Sequence, residues 1–258
     1  RVAIVTGASR GIGAEIARRF AAEGAAVAAT ARTESEGSSR FAGSLSETVS
    51  AITAAGGTAV AVRADLSRPA DRENLVATAA ARLGPVDILV NNAAVTYFAP
   101  IEDFTAKRMQ LMFEVQVYAP LHLAQLVLPP MRERGSGWIL NISSRAAIHP
   151  AVPPTRRAGG TVYGMCKAAL ERFTTGLAAE VHAAGVAVNA LSPNRVVPTA
   201  GTLHHGLTTM DDPAAEPPEL MAEAALALCG GSDGTLTGRI AYSQDLLAEL
   251  GIRPPVVG

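Results

Sequence analysis

Aromatic side chains are scarce. They make up 4% of the 258 residues although 48% are hydrophobic, so the core has to be assembled from Ala, Val and Leu, a composition suited to helices pressed closely on a sheet. Cysteine is almost absent: Cys166 and Cys229 form no C-x-x-C pair and are too few for a disulfide framework or a zinc site. Both are expected in the core of a protein kept in a reducing compartment, here the cytoplasm. No metal site is expected, because His204-His205 has no facing carboxylate at ligand spacing and reads as an exposed or lid pair. Charge of one sign is lacking too. The net charge is −1, and short basic pairs such as Arg18-Arg19, Arg132 with Arg134, and Arg156-Arg157 make no footprint for nucleic acid. No window holds 18 uninterrupted apolar residues, so no membrane partner is expected. Neither a secretory leader nor a Met precedes the first strand, so a few N-terminal residues are expected to be missing from the sequence.

What is present is organised around Val2 to Gly13, reading VAIVTGASRGIG. Val2 to Val5 has the apolar run of a buried parallel strand, and Ile12, Ile16 and Phe20 recur at helical spacing. The turn between them carries glycines at 7, 11 and 13. A strand feeding a helix through such a turn leaves the first helical N–H groups unpaired beside the positive end of the dipole, which makes a seat for phosphate. Gly7 allows the sharp turn, Gly11 lets backbone approach a pyrophosphate, and Gly13 lets the helix pack against the strand.

Thr6-Gly7-Ala8-Ser9-Arg10-Gly11-Ile12-Gly13 resembles the cofactor motif of the short-chain dehydrogenase/reductase family. The resemblance implies a Rossmann fold and a nicotinamide cofactor held by Gly7, Ser9, Arg10, Gly11, Ile12 and Gly13, with carbonyls reduced or alcohols oxidised. Strands and helices alternate without repeats or low-complexity tracts: Ala25 to Ala31, Thr58 to Arg63, Val86 to Val90, Trp138 to Ser143, Val186 to Leu191 and Gly238 to Ser243 follow the first strand. That alternation predicts one α/β domain over 1–258, a doubly wound parallel sheet of about seven strands with helices on both faces. A fold of this size buries roughly 75% of the surface its unfolded chain exposes. Ser44 and Glu47 form a capping box, Pro69 suits a first helical turn, and Pro120 is expected to kink a long helix from about Thr105 to Glu133.

Cofactor choice is read at the end of the second strand. NAD-binding Rossmann folds place an acidic residue there, whereas this chain has Ala31 and then Arg32. Arg32, with Arg10, is suited to clamp a 2′-phosphate, so NADP(H) is favoured over NAD(H). The resemblance assigns Asp65 and Leu66 to the adenine. It also aligns Asn91-Asn92-Ala93-Ala94 with the family's N-N-A-G, placing Asn92, Ala93 and Ala94 at the cofactor. Pro193, Val196 and Thr199 stand nearest to the family's nicotinamide contacts, with Asn194 in a Ser-Pro-Asn that replaces its Pro-Gly.

Tyr163 and Lys167 are four apart and share one helical face. Protonating a nascent alkoxide needs a phenol brought down by about 3 pKa units, roughly 4 kcal/mol, and a neighbouring ammonium supplies much of that. Tyr163 is thus expected as general acid/base, and Lys167 as the group that lowers its pKa and holds the nicotinamide ribose. Ser144, at the end of the fifth strand, is expected to bond the substrate oxygen. Ser143 is the neighbouring candidate, but the family pattern takes the second serine.

Several positions depart from the family. Gln116 stands where an Asn relays protons to the active-site Lys, so a second reading is a catalytically weak NADP(H)-binding regulatory or assembly subunit. Hydratase or epimerase chemistry on the same fold is a third reading, disfavoured by Ser144, Tyr163 and Lys167 together. Ser144 and Tyr163 are 19 positions apart, where a dozen is commoner, so 145–162 is expected as an insert beside the small-molecule substrate. Arg156 and Arg157 lie in it and suit either an anionic substrate group or ordinary surface charge. The stretch 200–219 reads as a lid. The family's closing Asp-Gly-Gly is missing, and a helix continues from Gln244 instead. Family resemblance implies a homodimer or homotetramer.

Overall fold

The computed structural model describes residues 1–37, 39, 41–152, 159–231 and 236–253. Strands β1 (Val2–Thr6), β2 (Ala26–Ala31), β3 (Thr58–Arg63), β4 (Ile88–Asn91), β5 (Gly137–Ile142), β6 (Val186–Ser192) and β7 (Ile240–Tyr242) form one sheet in the order β3-β2-β1-β4-β5-β6-β7. Every pairing is parallel. Strand order reverses between β1 and β4, where Ala3 pairs with Ile88 and Val5 with Val90. Ligands in such sheets sit outside the carboxyl ends of the strands flanking that reversal.

Both faces of the sheet are covered, which is why its central strands are apolar throughout rather than alternating. Ala3, Val5, Val90 and Leu140 point to one core with Ile16 and Phe20 of α1 (Gly11–Ala22) and Met221 and Leu228 of α8 (Pro218–Gly230). Ile4, Leu89 and Ile139 point to the other, with Leu75 of α3 (Pro69–Leu83) and Leu123 and Val127 of α5 (Ala119–Arg134). The shortage of aromatics shows in how α1 meets α8, with Ala14, Ala17, Ala21, Ala222 and Ala225 all buried. Arg19 pairs with Glu223 at its edge.

The remaining helices are α2 (Leu45–Ala54), α4 (Ala106–Phe113), α6 (Thr161–Val181), α7 (Ala200–His204) and α9 (Ser243–Glu249). Ser44 caps α2 as expected, its hydroxyl accepting from Glu47 N–H at 3.2 Å and bonding the Glu47 carboxylate at 3.2 Å. The expected kink at Pro120 takes another form: a π-helical turn, Glu114–Tyr118, lies between α4 and α5 just before the proline. Pro120 offers no N–H to the carbonyl of Gln116 four residues back, and the helix widens there into the π turn. The stretch Ala106–Arg134 is long and apolar enough to cross a membrane by length and composition. Here Leu123, Ala124, Val127 and Met131 are buried in the core against the sheet.

Candidate active site

The glycine turn sits at the carboxyl end of β1. Gly7 (φ +66°) and Gly11 (φ +56°) occupy left-handed backbone that other residues adopt only with strain. A Cβ on Gly13 would collide with the Asn92 amide and the Gly7 carbonyl, so this glycine lets α1 seat directly on the β1–β4 edge. On Gly11 a Cβ would meet the Thr199 methyl at 3.0 Å and no other heavy atom outside its own helix closer than the Thr199 Cβ. Arg10 precedes α1 with no side-chain capping bond, which leaves the first N–H groups of the helix to an anion. A cradle shaped by absent side chains and headed by an uncapped helix fits a dinucleotide pyrophosphate. Ser9 is buried and Ile12 half-buried at its wall.

Asn92 holds this turn to β4. Its amide donates to the carbonyls of Thr6 at 2.9 Å and Gly7 at 3.3 Å, while the Thr6 hydroxyl accepts from Asn92 N–H at 2.9 Å and Ala93 N–H at 3.0 Å. Ala94 is exposed beyond it. Asn91 turns the other way, donating to Asn141 at 2.8 Å, and Asn141 donates to Thr174 at 2.8 Å. This buried ladder ties β4 and β5 to α6. Asn141 and Thr174 carry no signal in the sequence, because their partners lie 50 and 33 positions away.

On the adenosine side the two arginines have different neighbours. Arg10 donates to the Gly43 carbonyl at 2.7 Å and the Ser39 hydroxyl at 3.3 Å, and its guanidinium lies 5.8 Å from the Phe41 ring centroid. Burial holds its pKa below the ordinary value against the pull of Glu47. Arg32 is exposed at the end of β2. Asp65 accepts from Ser67 N–H at 3.0 Å and the Ser67 hydroxyl at 2.8 Å. Burial works to raise its pKa, but those bonds and the charges of Arg32 and Arg68 outweigh it and leave the carboxyl low. Leu66 is buried beside it.

Across the switch point, Ser144, Tyr163 and Lys167 come together. The Ser144 hydroxyl hydrogen-bonds Tyr163 and accepts from Ala146 N–H at 3.2 Å. Ser143 is set apart, donating to Glu171 at 2.7 Å. Lys167 is 3% exposed, donates to the Ile142 carbonyl at 2.9 Å, and lies 5.6 Å from the Tyr163 ring centroid. The shift at Tyr163 runs opposite to the expected lowering. Burial pushes the Tyr163 phenol up, offset in part by the Ser144 bond, while burial draws Lys167 down to about 8. Burial shifts both groups toward their neutral forms, yet Lys167 stays charged below about pH 8, and its ammonium is turned to a carbonyl. Gln116, 1% exposed in the π turn, donates to the Val95 carbonyl at 2.9 Å, and its amide oxygen accepts no hydrogen bond among the described residues.

Beyond β6, Pro193 is half-buried and the Val196 carbonyl accepts from Glu216 N–H at 2.9 Å. Thr199 caps α7 through a reciprocal pair of bonds with Thr202. The expected lid is thus a short helix followed by turns, and its last two residues, 218–219, already belong to α8. Rings run from it to the site in edge-on contacts: Phe41 with His204 at 5.3 Å, His204 with His205 at 5.1 Å, His205 with Phe98 at 4.9 Å, and Phe98 with Tyr163 at 5.8 Å. Phe98 carried no sequence signal, since a lone aromatic after a strand marks nothing by itself. Of the 145–162 insert, Arg145–Ala147 forms a 3-10 turn, and Arg156 and Arg157 lie outside the described residues.

The model of the short chain dehydrogenase family matches residues 1–204. An uncharacterized oxidoreductase of Methylorubrum extorquens is 37% identical over 242 residues, covering 94% of this chain and 89% of its own length. A solved metagenomic short-chain oxidoreductase in complex with NADP matches with a TM-score of 0.77 at 30% identity, over 93% of this chain and 96% of its own. A blue fluorescent protein from a metagenomic library, solved in complex with NADPH, matches with a TM-score of 0.78 at 32% identity, over 94% and 95%.

Proposed function

The chain belongs to the short-chain dehydrogenase family, and from that premise we propose that it is an NADP(H)-dependent oxidoreductase interconverting a carbonyl and a secondary alcohol. The observation that carries this reading is the meeting of Ser144, Tyr163 and Lys167 at the same carboxyl edge of the sheet as the uncapped start of α1. Gly7, Ser9, Gly11, Ile12 and Gly13 would hold the pyrophosphate, Asp65 and Leu66 the adenine, and Asn92, Ala93 and Ala94 the turn beneath them. Pro193, Val196 and Thr199 would border the nicotinamide. When bound, the cofactor supplies or accepts the hydride. In the reductive direction Ser144 holds the carbonyl oxygen by a hydrogen bond, Tyr163 gives it the phenolic proton, and the Lys167 ammonium stabilises the phenolate left behind. Gln116 positions the segment after β4 through Val95.

The reading includes one α/β domain, a small-molecule substrate, and a cytoplasmic setting supported by two free, buried cysteines. Tyr118, 53% exposed in the π turn, and Met165, 47% exposed on α6, support a homodimer or homotetramer. The competing reading, a weakly catalytic NADP(H)-binding subunit, draws on the commitment of the Gln116 amide to Val95. Absorbance at 340 nm with NADPH and a panel of ketones separates them: turnover of at least one ketone is expected, and tight cofactor binding without turnover would favour the subunit.

Cofactor preference is the next expectation. Arg32 is exposed where an acid would repel a 2′-phosphate, so NADP(H) should bind more tightly than NAD(H) by about 1.5–3 kcal/mol, the worth of one charged hydrogen bond. Titration of both cofactors should show Arg32→Ala losing about 10-fold or more for NADP(H) and little for NAD(H). Equal losses for the two would remove the 2′-phosphate argument.

A further inference from the structure

The stripe that carries the active site on α6 continues one turn further. Tyr163, Lys167 and Glu171 stand at successive i, i+4 positions, and the end of β5 meets each of them. Ser144 bonds Tyr163, the Ile142 carbonyl takes Lys167 at 2.9 Å, and the Ser143 hydroxyl donates to Glu171 at 2.7 Å. The far end of the stripe opens outward. Glu171 borders a surface pocket of about 460 Å³ together with Ile148, His149, Arg172 and Ile240.

Lys167 is almost fully buried, with the Ile142 carbonyl as its hydrogen-bond partner among the described residues, and a buried ammonium is costly unless an anion faces it. The titratable groups that act on it are few. Cys166 on its own helix is pushed up by burial to about 11 and is neutral at pH 7, and the Tyr163 phenol is likewise pushed up. From β5 come a carbonyl and hydroxyls, none of them charged. Glu171 lies one helical turn beyond Lys167 on the same face, outside the reach of a direct ion pair, and its attraction acts across that gap: it raises Lys167, and Lys167 lowers it against the upward push of burial. Around Glu171 itself stand Arg172 on α6, His149 across the pocket, and Tyr242 of β7, whose ring lies 5.6 Å from the Arg145 guanidinium. Asp245 of α9 acts on Tyr242 from behind.

We propose that Glu171 is the counter-ion of Lys167, a positioning residue that keeps the active-site ammonium charged from the side opposite Tyr163. The assignment is electrostatic and holds for the chain itself, while its consequence for turnover rests on the oxidoreductase reading above. Glu171 need not touch substrate or cofactor. It acts by deciding over which pH range Lys167 can stabilise a Tyr163 phenolate.

The test uses an accident of composition: the chain has two lysines, Lys107 and Lys167. Lys107 is exposed, so in protein labelled with 13C at the lysine side chain it serves as the internal reference while Lys167 titrates separately. In Glu171→Gln, which keeps an acceptor for Ser143 and removes only the charge, the Lys167 midpoint should fall by about one unit or more. The alkaline limb of kcat for ketone reduction should move down by a similar amount, with KM for NADPH little changed. Ser143→Ala, which keeps the carboxylate, should leave the midpoint close to the parent value. An unmoved midpoint in Glu171→Gln, or an equal shift in Ser143→Ala, would overturn the assignment. Should Glu171→Gln not fold, Glu171→Asp takes its place, and a midpoint unchanged from the parent with the carboxylate drawn back by one methylene would count against the pairing. A shifted midpoint in a protein that turns over no ketone would uphold the counter-ion and remove the oxidoreductase reading instead.

Discussion

Tyr163→Phe should lower kcat by about 10²-fold or more while NADP(H) affinity stays nearly intact. The substitution removes one hydroxyl and keeps the ring, so the edge-on contact with Phe98 at 5.8 Å survives, as does the packing on Met112, Val162 and Cys166. What is lost is the proton donor and the bond to Ser144. The pH dependence of the parent enzyme follows from Lys167. Its pKa is depressed to about 8, so it is charged below that value and neutral above it. Reduction, which needs the ammonium beside a forming phenolate, should therefore fall off as pH rises through about 8, well before a solvent-exposed lysine would lose its proton. Full activity in Tyr163→Phe would sink the mechanism, and a reductive rate flat to pH 10 would detach Lys167 from it.

Local pattern carried much of the architecture. The apolar run before the glycine turn, the capping box at Ser44 and the bounds of Thr58–Arg63 each depend on neighbours a few positions apart, and each element stands where that pattern placed it. The choice between Ser143 and Ser144 was legible only through the family pattern. In the structure the two hydroxyls go to different partners, Glu171 and Tyr163. What stayed hidden was whatever depends on a distant partner. The π turn arises because Pro120 strands a carbonyl inside a helix that α6 and the sheet also hold, and periodicity predicts a kink without its form. Asn141, Thr174, Phe98 and Glu171 are ordinary residues until the fold sets them against Asn91, Tyr163 and Lys167. Glu171 alone left a trace, four residues after Lys167 on the same face.

Glu216→Ala should be among the most destabilising single changes outside the active site. Glu216 is 0% exposed and joins no ion pair among the described residues, yet its carboxylate is surrounded by donors. Asn194 N–H reaches it at 2.9 Å, Arg195 N–H at 3.1 Å and the Gln244 amide at 2.9 Å, and the Ser243 hydroxyl donates to its other oxygen. Asn194 completes the knot by accepting from Gln244 N–H at 2.8 Å, which caps α9. Where the family has Pro-Gly after the sixth strand and Asp-Gly-Gly after the last, this chain joins the exit of β6, the end of the 200–219 segment and the start of α9 through Asn194 and Glu216. Alanine at 216 would leave buried donors without an acceptor at about 1–3 kcal/mol each, so a loss of about 3 kcal/mol or more is expected. For a domain of this size that lowers Tm by roughly 6–12 °C. Glu216→Gln keeps the volume and one acceptor oxygen but turns an N–H₂ toward other donors, so it should cost less than alanine and more than nothing. Because the same carboxylate holds the backbone of Asn194 and Arg195 next to Val196, both variants should also weaken NADP(H) binding. A Tm within about 2 °C of the parent for Glu216→Ala would mean that water replaces the carboxylate freely, and that the C-terminal helix is held by its apolar residues Leu246 and Leu247 alone.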